Sequence, residues 1–134
     1  MAESKAKIYA TAVGRRKTAS ASVRLIAGNG SVTVNGQPAD KYFPGPVAKM
    51  RFGQPFKTVD VHKYSAIVKV AGGGPTGQLD ATVLGISRAL VLIKDTHKPT
   101  LRQAGLMTRD PRQRQRRMIG TGGKARRQKQ SPKR

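Results

Sequence analysis

The chain of 134 residues has no cysteine, no tryptophan, only 6 acidic residues and an aromatic content of 4%. Without cysteine there is no disulfide framework, no thiolate nucleophile and no Cys-type zinc site. No apolar run approaches the ~18 residues that cross a bilayer, and Met1 to Lys7 is polar with no apolar segment behind it. The expectation is a soluble intracellular protein. The shortage of acids has a second consequence: 27 Lys and Arg against 6 Asp and Glu leave a formal charge of +21 and a pI near 11.7. Such a surplus repels itself in a compact state unless a polyanion neutralises it, so nucleic acid or an anionic membrane is the expected partner.

The length fits one domain, and the apolar content with glycine included lies in the ordinary range for a folded chain. The charge is unevenly spread. Residues 1–97 hold 14 basic and 5 acidic residues, whereas residues 98–134 hold 13 basic and one acidic residue. From Arg112 to Arg134 the apolar side chains are few, too few to offset the entropy of ordering. A folded body over 1–107 and a basic tail over 108–134, disordered without a partner, are expected.

In the body, Ala21, Val23 and Leu25 alternate with Ser20, Ser22 and Arg24, the period of a half-buried strand. Gly28-Asn29-Gly30 supplies a turn, and Val32 and Val34 alternate again, so the two runs read as an antiparallel hairpin. Tyr9 to Val13 reads as an earlier strand, with Arg15-Arg16-Lys17 in the loop after it. Asn35-Gly36 has turn chemistry, but Pro38 lacks the N–H of a paired strand, which favours a short helix to Phe43. Pro44 to Lys63 carries no decisive pattern, although Val47 to Phe52 fits a helical turn or two. Ser65 to Ala71 reads as a strand. Leu79, Val83, Ile86, Leu90 and Ile93 form one stripe of a helix over 76–94. Pro99 and Gly105 bracket a last short helix. Strands and helices in this arrangement give an α+β layer.

Gly72, Gly74 and Gly77 match the dinucleotide-binding spacing, yet the helical stripe continues through Val91-Leu92-Ile93 and leaves no room for the second strand that fold requires. Gln78-Leu79 stand where a phosphate-binding P-loop needs Lys and a hydroxyl. Gly74-Pro75-Thr76-Gly77 has the form of the backbone clamp of KH domains but follows a strand instead of joining two helices. Two readings of the glycines remain: a helix N-terminus that receives a phosphate, or a tight, closely packed turn. Asp40, Asp60, Asp80, Asp95 and Asp110 are isolated and His62 and His97 are single, so no catalytic acid pair or metal cluster is visible. The basic runs carry more weight: Arg15-Arg16-Lys17; Arg112, Arg114, Arg116 and Arg117; Lys124, Arg126, Arg127 and Lys129; and Lys133-Arg134. Guanidinium groups suit bidentate phosphate contacts, and the low aromatic content favours backbone charge over base stacking. Pro111, Gly120, Gly122, Gly123 and Pro132 break any long basic amphipathic helix, which argues against a membrane.

Four segments in order along the chain resemble the small-subunit ribosomal protein S-nine family: Gly14-Arg15-Arg16-Lys17-Thr18-Ala19, the run from Gly72 through Gln78, Ala81 and Gly85-Ile86 to Arg88-Ala89-Leu90, Thr108-Arg109-Asp110-Pro111-Arg112, and Lys124-Ala125-Arg126-Arg127 before Lys133-Arg134. The resemblance implies a four-stranded sheet on helices with a left-handed β-α-β crossover, against the usual hand, and a long extended basic C-terminal tail. It implies a non-enzymatic place in the head of the small subunit beside other head proteins, with no cofactor. Small-subunit rRNA would be held by Arg15, Arg16, Lys17, Arg109, Arg112, Arg114, Arg116, Arg117, Lys124, Arg126, Arg127 and Lys129. Lys133 and Arg134 would reach the anticodon stem of peptidyl-site tRNA. The chain departs from the family's usual aromatic-Ser-Lys-Arg ending at Gln130-Ser131-Pro132, where Pro132 stiffens the approach. From Arg112 the tail could span at most roughly 75–80 Å. A basic DNA-architectural protein is the competing class, and an NAD-type enzyme, resting on the glycine loop alone, is third.

Overall fold

The computed structural model describes residues 7–120. Nine elements follow in order: β1 (Ile8–Arg16), β2 (Ala19–Ala27), β3 (Val32–Val34), β4 (Gln37–Pro38), α1 (Ala39–Tyr42), α2 (Pro46–Val59), β5 (Tyr64–Ala71), α3 (Pro75–Ile93) and α4 (His97–Gln103). The architecture is α+β, with the strands in the order β1-β2-β5-β3-β4 and the β3–β5 pair parallel within an otherwise antiparallel sheet.

Three expectations need correction. The Val32 run does not form a hairpin with β2, because β5 lies between them. The loop from Gly28 to Ser31 runs beside the start of β5 instead: the Gly28 and Gly30 N–H groups donate to the Lys63 and Tyr64 carbonyls at 2.9 and 3.0 Å, and Ala66 N–H donates to Ser31 O at 2.9 Å. The sheet has five strands and not four. Asn35 and Gly36 take φ of 49° and 79°, the left-handed conformations of a tight hairpin, and return the chain as the two-residue β4. Pro38 is tolerated there because β4 is an edge strand. Finally, Arg15 and Arg16 belong to β1 itself; the loop is only Lys17-Thr18, since Arg16 pairs with Ala19.

The pleat divides the sheet into two faces. On one lie Ala10, Ala12, Ala21, Val23, Leu25, Val34, Ala66 and Val68, all buried, with α3 packed on β1, β2 and β5. The expected stripe is seated there, with Leu79, Val83, Ile86 and Leu90 buried. Helix α3 is long and apolar enough to cross a membrane by length and composition, but it is the core helix. α2 and α4 flank it, and it is buried on nearly every side. Its buried hydroxyls are satisfied locally: Thr82 donates to Gln78 O at 2.8 Å and Ser87 to Val83 O at 2.9 Å.

The helix approaches the sheet so closely that side chains are excluded at the contact. A Cβ on Gly14 would stand 1.9 Å from the Ala81 carbonyl oxygen, and one on Gly85 would stand 2.6 Å from a Val23 methyl. Two of the segments quoted above therefore meet as a packing seam. Arg88 adds to it by donating to Val13 O at 2.8 Å, on the edge strand β1.

Candidate nucleic-acid interface

Strand alternation sends the neighbours Arg15 and Arg16 to opposite faces. Arg15 is exposed. Arg16 turns to the helix side, where its side chain is only 13% exposed, and its Nε lies 3.5 Å from the Asp80 carboxylate of α3. Arg51 of α2 makes an ion pair with the same carboxylate. Arg16 also reaches the segment after α4: Nη1 is 3.2 Å from Asp110 Oδ1 and donates to the Asp110 and Arg112 carbonyls at 3.1 and 2.8 Å. Two aspartates isolated in sequence thus converge, on an arginine and not on each other.

Asp110 is held further by Arg112, whose backbone N–H donates to Oδ1 at 3.0 Å and whose guanidinium donates to Oδ2 at 2.7 Å. The side-chain bonds from Arg112 first, then its backbone N–H and the nearby positive charges, hold the Asp110 carboxyl well below the usual carboxylate range. Arg16, Arg51 and Arg112 line a cleft of about 280 Å³ with Asp80 and Asp110, and Arg15, next to Arg16 on the edge strand β1, borders it from the other face. The start of the tail is thereby tied to the body; Arg112 at the tie and Arg114 and Arg116 beyond it are exposed, and Arg109 and Arg117 are half-buried. Lys17, at φ 54°, forms the exposed tip of the β1–β2 hairpin. Lys124, Arg126, Arg127, Lys129, Lys133 and Arg134 lie outside the described residues.

The glycine loop resolves in favour of packing. Gly72 and Gly73 have φ of 76° and 63°, and a Cβ on Gly72 would lie 2.5 Å from the Thr18 carbonyl oxygen of the β1–β2 turn. Gln78 closes the loop by donating to Gly72 O at 3.0 Å and accepts from the Tyr42 hydroxyl at 2.8 Å. After α3 the described chain continues into α4, not a strand. His62 lies 3.3 Å from Asp60, and both side chains are exposed. His97 is held below its usual range by burial and then by Lys94.

Two cations fall outside the basic runs because each stands alone in a strand. The register places Arg24 laterally between Thr11 and Ile67, with Thr33 beyond, and Lys69 beside Ser22 and Val13. Arg15, Ser20 and Ala71 form the next row. All lie on the face away from α3. The signal available in sequence is the alternation itself: Arg24 between Val23 and Leu25, and Lys69 between Val68 and Val70.

Comparison with known proteins gives this basic surface a family. The family described as Ribosomal protein S9/S16 matches residues 14–134. The small ribosomal subunit protein uS9 of Anaeromyxobacter sp. (strain K) is 46% identical over 112 residues, covering 83% of this chain and 86% of the relative. The protein of the same name from Leifsonia xyli is 46% identical over 125 residues, 92% of this chain and 74% of the relative. That from Desulfovibrio desulfuricans is 45% identical over 108 residues, 80% and 83%. With nearly its whole length matched, the chain belongs to the ribosomal protein S9/S16 family, a family of structural ribosomal proteins and not of enzymes.

Proposed function

We propose that the chain is a structural constituent of the small ribosomal subunit in the cytoplasm, seated in the subunit head among neighbouring head proteins, where it binds small-subunit rRNA. The observation that carries this is the tied base of the tail. Arg16 fixes the backbone at Asp110 and Arg112, so the run Arg112, Arg114, Arg116 and Arg117 leaves the body from a defined point. From there the basic tail over 108–134 follows RNA phosphates away from the 1–107 body. Arg15, Lys17, Arg109 and the cations from Lys124 to Lys129 supply further phosphate contacts, and Lys133 and Arg134 contact peptidyl-site tRNA. In this reading the β3-to-β5 connection through α1 and α2 is the left-handed crossover of the family.

Co-sedimentation of the full chain with small subunits after a high-salt wash tests the placement. Retention is expected; release from subunits together with retention on DNA overturns it in favour of a DNA-architectural protein. Deleting Lys133 and Arg134 is expected to weaken peptidyl-site tRNA binding while leaving subunit assembly intact. Unchanged tRNA affinity at moderate salt refutes that contact.

A further inference from the structure

The face of the sheet turned away from α3 has no element of the described chain packed across it. Its central rows run Thr11–Arg24–Ile67–Thr33, Val13–Ser22–Lys69 and Arg15–Ser20–Ala71. Arg15, Arg24, Ile67 and Lys69 are exposed. None of the strands contains an acidic residue; the five aspartates of the described residues lie on helices and connecting segments. Among the described residues, Arg15, Arg24 and Lys69 form no ion pair, whereas Arg16 on the other face pairs with two carboxylates. The apolar members, Val13 and Ile67, are separated by hydroxyls and cations; the exposed Tyr9 ring lies beyond these rows, edge-on to Tyr64 at 5.3 Å and under the Lys7 ammonium, and no aromatic ring stands in the three rows themselves, which a platform for unstacked bases would require.

We infer that this open face is a second RNA-binding surface, and that its ligand is a double-helical segment of rRNA held by its backbone. The inference rests on the ribosomal reading above and extends it from the basic runs to the open face of the sheet. Arg24 and Lys69 are diagonal neighbours on adjacent strands, about 7–8 Å apart at their bases, and Arg15 lies two strands from Lys69, so the cations are spread over the face and can engage separate phosphates. Between them stand the hydroxyls of Thr11, Thr33, Ser20 and Ser22, which can donate to or accept from ribose 2′-hydroxyls. A broad sheet cannot enter the deep, narrow major groove of an A-form helix, but it can lie across the wide, shallow minor groove, where 2′-hydroxyls and phosphates are presented. Charge complementarity with hydroxyl lining selects this ligand over an apolar protein face.

The absence of cysteine makes a clean test possible. Single variants of the full chain, Ser22→Cys on the open face and Arg116→Cys on the tail, are each coupled to an iron chelate, assembled into small subunits and used to cleave rRNA with hydroxyl radicals. Cuts on opposite strands of one paired segment from Ser22→Cys are expected. Cuts from Arg116→Cys alone, or cuts from Ser22→Cys confined to unpaired RNA, overturn the inference and leave the ribosomal reading standing. Failure of both variants and of the unmodified chain to enter subunits overturns that reading as well. In parallel, Arg24→Gln with Lys69→Gln is expected to lower the salt slope of binding to purified small-subunit rRNA by about 1.8, at ~0.9 per phosphate contact. Arg24→Lys with Lys69→Arg keeps it. An unchanged slope in the Gln variant also overturns the inference.

Discussion

Arg15 and Arg16 are adjacent in sequence and chemically identical, yet the two faces of the sheet give them different work. On the helix side Arg16 is enclosed and joins α3 to the base of the tail through Asp80 and Asp110. On the open side Arg15 belongs with Arg24 and Lys69, whose charges the fold leaves uncompensated. A count of cations treats all of these alike, but burial and carboxylate neighbours separate cations that hold the fold from cations available to a polyanion. Substitutions on the covered face should therefore cost stability, and substitutions on the open face should cost RNA affinity.

The largest effect expected is on the covered face. Leu25 is fully buried beneath α3, and Leu25→Ala should lower unfolding free energy by about 3–4 kcal/mol through lost burial and a residual cavity. Gly14→Ala should cost about 3 kcal/mol by overpacking, because the new methyl meets backbone and not a movable side chain. Urea denaturation with an unchanged m-value checks both. Arg16→Ala should cost about 2 kcal/mol, the range for hydrogen bonds to charged groups, and should make the chain from Thr108 to Arg112 more sensitive to limited proteolysis.

A smaller effect follows from the Asp110 carboxyl, whose value is depressed by Arg112 and Arg16. Its contribution to stability is complete above the ordinary carboxylate value of about 4 and fades as pH falls toward the depressed one. Asp110→Asn should remove that part of the acid limb and narrow the gap between urea midpoints measured at pH 6 and pH 3. A variant with the same gap as the parent chain contradicts this role for the ion pair. At the bottom of the scale, Arg15→Gln should change stability by no more than ~0.5 kcal/mol.

Much of this was legible from residue order. The period-two run gave β2, the β-branched stretch from Ser65 to Ala71 gave most of β5, and the stripe from Leu79 to Ile93 gave α3 to within a residue at each end. Non-local choices were not legible. Nothing near Val32 says that β5, more than 30 residues on, will insert beside β2, because that outcome depends on the loop from Gly28 to Ser31 bonding to β5. Helix α2 was obscured by Gly53 and by Pro55, which takes one N–H out of the helix; burial of Phe52, Pro55 and Phe56 sustains it. At the interface, charge runs exposed Arg15 and the tail but missed Arg24 and Lys69, and they could not reveal that Arg16 is held by carboxylates 64 and 94 positions away.

The most direct measurement sets Arg15→Gln beside Arg16→Gln, with unfolding free energy and the salt dependence of rRNA binding recorded for both. Arg15→Gln should keep its stability and lose about 0.9 from the salt slope, one phosphate contact; Arg16→Gln should lose stability while the slope changes little. Equal losses of slope in the two variants, with stability unchanged in both, would contradict the division of the sheet into a structural face and an RNA face.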